Sequence, residues 1–199
     1  MILRTSPASP FGRKVVIAAS LLGLGDSIAV VNADTTDPGD SLRAHNPLGK
    51  IPTLVDDDGT AWYDSRVILE VIDARAGATV HGTGEVRLKA LKLQALADGL
   101  MDACLLQVYE NRMRDPDKRE PKWIEHQAGK VERTLALLEA DPPGLSGAID
   151  IGHIAVACAL GYLDLRFAGT WRETHPRLVA WLDAFAARVP AFEETRVKA

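Results

Sequence analysis

Strand signals stop at Gly82, and from there onward the chain carries only helical periodicity. That change of pattern restricts the fold more than any single motif, because a period of two and a period of 3.6 cannot serve the same element. Before the break, short apolar runs alternate with helical stretches. Ile2-Leu3-Arg4 reads as a short strand. Ser9-Pro10 reads as an N-cap followed by a first-turn proline, whose missing N–H would be unpaired there anyway. The helix that follows is expected to stop near Gly23 and Gly25. Ile28 to Val31 forms a second strand, and Asp34 to Ala44 is polar, a loop with a short helix. Thr53-Leu54-Val55 and Ala61-Trp62-Tyr63 flank Asp56-Asp57-Asp58-Gly59-Thr60, a loop whose length and late glycine suit a β-hairpin. Its three aspartates read as a solvated turn, since no further ligands follow at metal-binding spacing. A helix from Ser65 to about Ala76 closes the unit at Gly77.

The resulting order, β-α-β-α-β-β-α, predicts a mixed sheet with helices on both faces. Beyond Gly82, residues Leu93, Leu96, Ala97, Leu100, Cys104 and Val108 place one apolar stripe on a long helix, interrupted by Pro116 and Pro121. A second stripe runs through Ile124, Gln127, Ala128, Val131, Leu135 and Leu138 to Asp141. Ile151 to Leu163 is apolar on nearly every side and belongs at the centre of a bundle. Pro176 opens a last amphipathic helix carrying Leu178, Leu182, Phe185 and Val189. The expectation is an α/β domain over residues 1–78, a linker over 79–84, and an all-helical domain over 85–199.

A net charge of −4 offers no basic field for nucleic acid or anionic membrane. No apolar stretch reaches the ~18 to 20 residues that span a bilayer. Arg13-Lys14 ahead of Val15 to Leu24 imitates a secretion signal, but the charges come late, Pro10 interrupts the approach and Asp26 closes the run. Cys104 and Cys158 form no C-x-x-C and sit in apolar helical stretches, as buried free thiols do. That usage fits a reducing cytoplasm.

Two local motifs carry chemistry. Asn46-Pro47-Leu48-Gly49-Lys50-Ile51-Pro52-Thr53-Leu54-Val55 brings an Ile-Pro step into a strand, and Asp64-Ser65 opens the helix after the hairpin. Together they outline a place to hold a small peptide-like anion, with main chain on one side and a helix N-terminus on the other. With Ser9-Pro10-Phe11 and Arg13-Lys14-Val15 upstream, the whole chain resembles the cytosolic glutathione S-transferases, nearest in pattern to the serine-type tau, theta and zeta classes. The resemblance implies a thioredoxin-like first domain and an all-helical second one.

It also implies roles. Ser9 would donate its hydroxyl to glutathione sulfur and favour the thiolate, although a plain N-cap also explains Ser-Pro, and Thr5 and Ser6 compete for the task. A cis bond before Pro52 would turn Ile51 toward the cysteinyl unit. Ser65 would take the γ-glutamyl carboxylate, Asp64 its ammonium and Lys50 the glycyl carboxylate. Aspartate at 64 is shorter than the glutamate or glutamine many members have. Phe11, Tyr109 and Arg112 are the candidates for the electrophile pocket.

Asp150 replaces the usual Ser/Thr cap of the buried helix, and His153 the usual aspartate, a change that bears on folding. The other histidines, His45, His81, His126 and His175, read as scattered and solvated. By resemblance the protein is a glutathione transferase that uses glutathione as co-substrate, needs no metal, takes a small electrophile and forms a homodimer. Peroxidase or isomerase chemistry uses the same thiolate, and a non-catalytic interaction module of the same fold is the rival from another class.

Overall fold

The computed structural model describes residues 1–77 and 80–197, so Ala78 and Thr79, which begin the expected linker, lie outside the described residues. The first half is built on strands β1 (Ile2–Thr5), β2 (Ala29–Asn32), β3 (Thr53–Val55) and β4 (Ala61–Trp62), lying side by side in the order β2-β1-β3-β4. β1 runs parallel to β2 and antiparallel to β3, and β3 antiparallel to β4. A parallel neighbour needs a crossover, which helix α1 (Pro10–Leu21) supplies. A short α2 (Leu42–His45) and the longer α3 (Ser65–Ala76) complete the thioredoxin-like unit.

Small departures from expectation have local causes. β2 starts at Ala29, because the buried Ile28 is taken as the cap of a 3-10 turn over Gly25–Ser27. Asp56 of the acidic turn is not simply solvated. Its carboxylate accepts both Arg75 guanidinium nitrogens, at 2.5 and 2.6 Å, and the Trp62 indole N–H at 2.8 Å. The Arg75 hydrogen bond above all pulls its pKa down to about 2.

The second half is helical: α4 (Gly84–Met113), α5 (Pro121–Ala140), α6 (Ile151–Arg166) and α7 (Pro176–Arg188), with 3-10 turns between. α7 is not the last helix. The buried Val189 is its C-cap, and Pro190 starts a further turn, α8 (Ala191–Glu194). α6 is sheathed by α4 and by α1 of the first half, with its residues Ile151 to Leu160 all buried. Both cysteines are free and buried, and desolvation raises Cys104 to about 12 and Cys158 to about 11.

His153 completes a capping box at the head of α6. The Asp150 carboxylate accepts the His153 N–H at 3.1 Å, while His153 Nδ1 lies 3.2 Å from the Asp150 N–H and 2.7 Å from its carboxylate. A neutral imidazole accepts from the N–H; a protonated one donates to the carboxylate. Desolvation opposes the His153 charge, but Asp150 and the Gly144 carbonyl outweigh it and the pKa rises. Asp150 is likewise desolvated, yet the His153 bonds lower its pKa.

A raised histidine stabilises below its ordinary 6.5 and loses that contribution as pH climbs through the folded value. A depressed aspartate stabilises above 3.8 and loses its contribution as pH falls. The melting temperature of Asp150→Asn is therefore expected to fall furthest below wild type between those two values. The gap should narrow above neutrality, and parallel Tm–pH curves would refute the pair's titration.

Where the sequence suggested a solvated histidine, His81 is buried. Its Nδ1 lies 3.1 Å from Asp73 Oδ2, and Asp73 Oδ1 accepts the Val80 N–H at 2.8 Å. The Val80 carbonyl in turn accepts the N–H of Ile151, at 2.8 Å. The described part of the expected linker is thus bound to α3 on one side and α6 on the other.

Candidate functional site

Three turns meet at one end of the sheet. Thr53 sits opposite Arg4, so the entry to β3 lies beside the exit of β1, from which Thr5 to Ser9 lead into α1. Trp62 sits opposite Leu54, so β4 also ends there and delivers Asp64 and Ser65. The topology gathers Ser9, Ile51-Pro52 and Asp64-Ser65 on the same edge although they are far apart in sequence.

Ser9 is the N-cap of α1, as its place before Pro10 predicts. Its Oγ accepts the Gly12 N–H at 3.1 Å, which leaves the hydroxyl proton undonated among the described residues. Thr5 is less suited. Its hydroxyl is buried without a partner beneath Gly12, where an added Cβ would stand 1.8 Å from Thr5 Oγ1. Ser6 uses its carbonyl to accept the Ser9 N–H at 3.0 Å.

The Ile51–Pro52 and Tyr63–Asp64 peptide bonds are cis. The Lys50 carbonyl accepts from the Asn46 amide at 3.0 Å and the Thr53 hydroxyl at 3.1 Å, which pins the loop ahead of Pro52. Among the described residues, neither the N–H nor the C=O of Ile51 is used in a bond of this kind. Asp64 caps α3 by accepting the Arg66 N–H at 3.0 Å, and Ser65 is buried at the first position of that helix. Lys50 is exposed, and its charge reaches Asp102 on α4.

An open cleft of about 220 Å³ adjoins Ser9. Pro10 and Arg13 of α1, Tyr162 of α6 and Phe192 of α8 are among its walls. Phe11, Tyr109 and Arg112 are not. Phe11 instead packs against the core near the Lys14 ammonium, and Tyr109 and Arg112 are exposed on α4. Cys158 also faces the cleft, but its raised pKa keeps it a neutral thiol.

Sequence reading missed the charged group beneath the site. Lys14 is fully buried, with Nζ 2.6 Å from Asp98 Oδ1 on α4, and the Arg66 guanidinium reaches Asp98 Oδ2 at 2.9 Å. Desolvation, more than Asp98 can offset, lowers the Lys14 pKa. The signal was available: Lys14 is three and four residues from the buried Ile17 and Ala18, and Asp98 three from the buried Met101. A charge on an apolar stripe needs a partner.

A mixed four-stranded sheet followed by a helical bundle, with a proline-entered strand beside a capped helix, defines the two-part class in which a thioredoxin-like unit precedes an all-helical one. Residues 8–75 match the family model for the glutathione S-transferase N-terminal domain, and residues 121–184 that for the C-terminal domain. The chain belongs to the glutathione S-transferase family. It is 34% identical over 194 residues to the Escherichia coli uncharacterized GST-like protein YibF, covering 94% of this chain and 95% of that one. A glutathione transferase family member from Pseudomonas fluorescens, with bound glutathione, is 40% identical with a TM-score of 0.92 and covers 100% of this chain and 99% of its own. A second structure from that organism, at 40% identity and TM-score 0.88 and covering 100% of both chains, holds S-(propanoic acid)-glutathione.

Proposed function

We propose that this chain is a glutathione transferase that adds the thiolate of glutathione to a small electrophile. The observation that carries the reading is Ser9: a hydroxyl at the wall of an open cleft, its acceptor side occupied by Gly12 and its proton unspent. A free thiol near pKa ~8.5 is mostly protonated at neutral pH, and one donated hydrogen bond beside a helix N-terminus shifts that balance toward the thiolate.

Glutathione lies extended across the sheet end in this reading. The free Ile51 N–H and C=O pair with its cysteinyl unit as an added strand does. Ser65 takes the γ-glutamyl carboxylate at the head of α3, Asp64 the ammonium and Lys50 the glycyl carboxylate. Relatives that hold glutathione and an acid-bearing conjugate of it support this assignment. The electrophile occupies the cleft between α1, α6 and α8. The protein acts chiefly by positioning and thiolate stabilisation.

Detoxification in a reducing cytoplasm is the setting we assign. A homodimer is part of the reading: Val67 of α3 with Leu91 and Ala95 of α4 line a hollow edged by Arg66, Glu70 and Gln94, and Val67 and Leu88 are exposed apolar side chains for a second copy to cover.

Glutathione binding separates the enzyme from a non-catalytic module. At a hundredfold excess over its Kd, a ligand that binds only the folded chain adds about 2.7 kcal/mol of stability. The melting midpoint is expected to rise by several degrees in millimolar glutathione; a midpoint that stays put would favour the module.

A further inference from the structure

We infer that the cleft beside Ser9 selects electrophiles bearing a carboxylate, and that Arg13 is the residue that selects them. The chemistry rests on the transferase reading, whereas the anion binding does not. Arg13 lies one turn along α1 from Ser9, its N–H donating to the Ser9 carbonyl at 2.9 Å, and both residues line the cleft. One guanidinium edge is spent on uncharged oxygens: Nε donates to the Thr195 hydroxyl at 3.0 Å and Nη2 to the Phe192 carbonyl. The Phe192 ring lies 4.1 Å from the guanidinium carbon. These contacts hold the group still without neutralising it.

Nη1 makes no hydrogen bond among the described residues. It rests over Gly161 of α6, another residue of the cleft wall, where an added Cβ would come within 2.5 Å of it. Asp164 and Glu193 act on the charge only at a distance, and each carboxylate is paired with another cation. Asp164 accepts two Arg172 nitrogens, at 2.9 and 2.7 Å, and the Trp171 indole N–H at 2.8 Å. Arg196 is matched by Glu193 at 2.7 Å. Cys158 and Tyr162 are neutral, both raised by desolvation. Desolvation lowers Arg13 by more than the distant Glu193 and Asp164 carboxylates restore, as for a cation sheltered from water with no directly paired anion.

A guanidinium fixed on one edge and open on the other suits a carboxylate, with the reacting carbon about one helical turn (~5.4 Å) away toward Ser9. With an aryl halide acid the balance is simple. The thiolate attacks the halogen-bearing ring carbon, a C–S bond forms, and the C–halogen bond breaks with its electron pair leaving as halide.

Nitrobenzoate and its neutral counterpart nitrobenzamide test the anion site by calorimetry without any reaction. The wild type is expected to bind the acid on the order of tenfold more tightly, the worth of one charge-assisted hydrogen bond. Arg13→Gln should bind the two alike. Gly161→Ala, which crowds Nη1 while leaving Arg13 in place, should shrink the same preference and covers the case in which Arg13→Gln fails to fold. Chloronitrobenzoate should be conjugated with a matching advantage over chloronitrobenzamide. Equal affinities in wild type, binding of neither probe, or a preference that survives in folded Arg13→Gln would each overturn the assignment. A binding preference without turnover of either chloro compound would uphold it and remove the transferase chemistry instead.

Discussion

Ser9→Ala is expected to lower kcat/KM with a neutral aromatic electrophile by on the order of a hundredfold at neutral pH, as loss of a single preorganised donor does. Alanine removes the proton offered to the sulfur but also the acceptor of the Gly12 N–H, so some stability goes with it, about 1 kcal/mol for an N-cap. Ser9→Gly separates the two effects, because glycine caps nearly as well as serine and donates nothing. The pH–rate profile is the decisive measurement. If the hydroxyl favours the thiolate, both variants should climb with pH toward the ordinary thiol range near ~8.5 and approach wild type there. A profile that drops uniformly without shifting would assign Ser9 to the helix cap alone.

Asp98→Ala should be the most damaging substitution for the fold. It strands a fully buried ammonium and unties Arg66, and breaking one side of a buried ion pair costs about 3–5 kcal/mol. At this size that corresponds to a fall in Tm of roughly 6–20 °C. Replacing both buried charges, Lys14→Met with Asp98→Leu, should recover most of the loss, because the one charge left without its partner, Arg66, is exposed to solvent. A double variant no more stable than Asp98→Ala would mean that the pair itself, not the stranded charge, supports the structure. Since Lys14 is on the helix that Ser9 caps, activity should track folding in Asp98→Ala; it should not in Ser9→Gly.

Much of this was readable because the sequence repeats its message at several levels. Ser9-Pro10 predicts a helix start by cap and by proline, and α1 begins there. The turn glycines and the apolar run of α6 name their own positions for the same reason: each is a local requirement. What escaped was decided by packing between distant segments. Nothing near His81 in sequence announces that Asp73 will bury it, and nothing near Arg13 announces the Phe192 carbonyl. Tyr109 and Arg112 lie on α4, whereas the cleft beside Ser9 is walled by α1, α6 and α8, because α6 sits directly against α1. Those relations appear only once helices are placed in space.

The residues around Val80 have a mechanical consequence. The Val80 N–H is held by Asp73 and its carbonyl by Ile151, while Lys14 and Asp98 bolt the same two halves together farther in. Links at two separate points oppose a swing of the two lobes apart. Small molecules must then come and go through the open mouth of the groove, and their traffic is governed by side chains at its rim rather than by jaws that close.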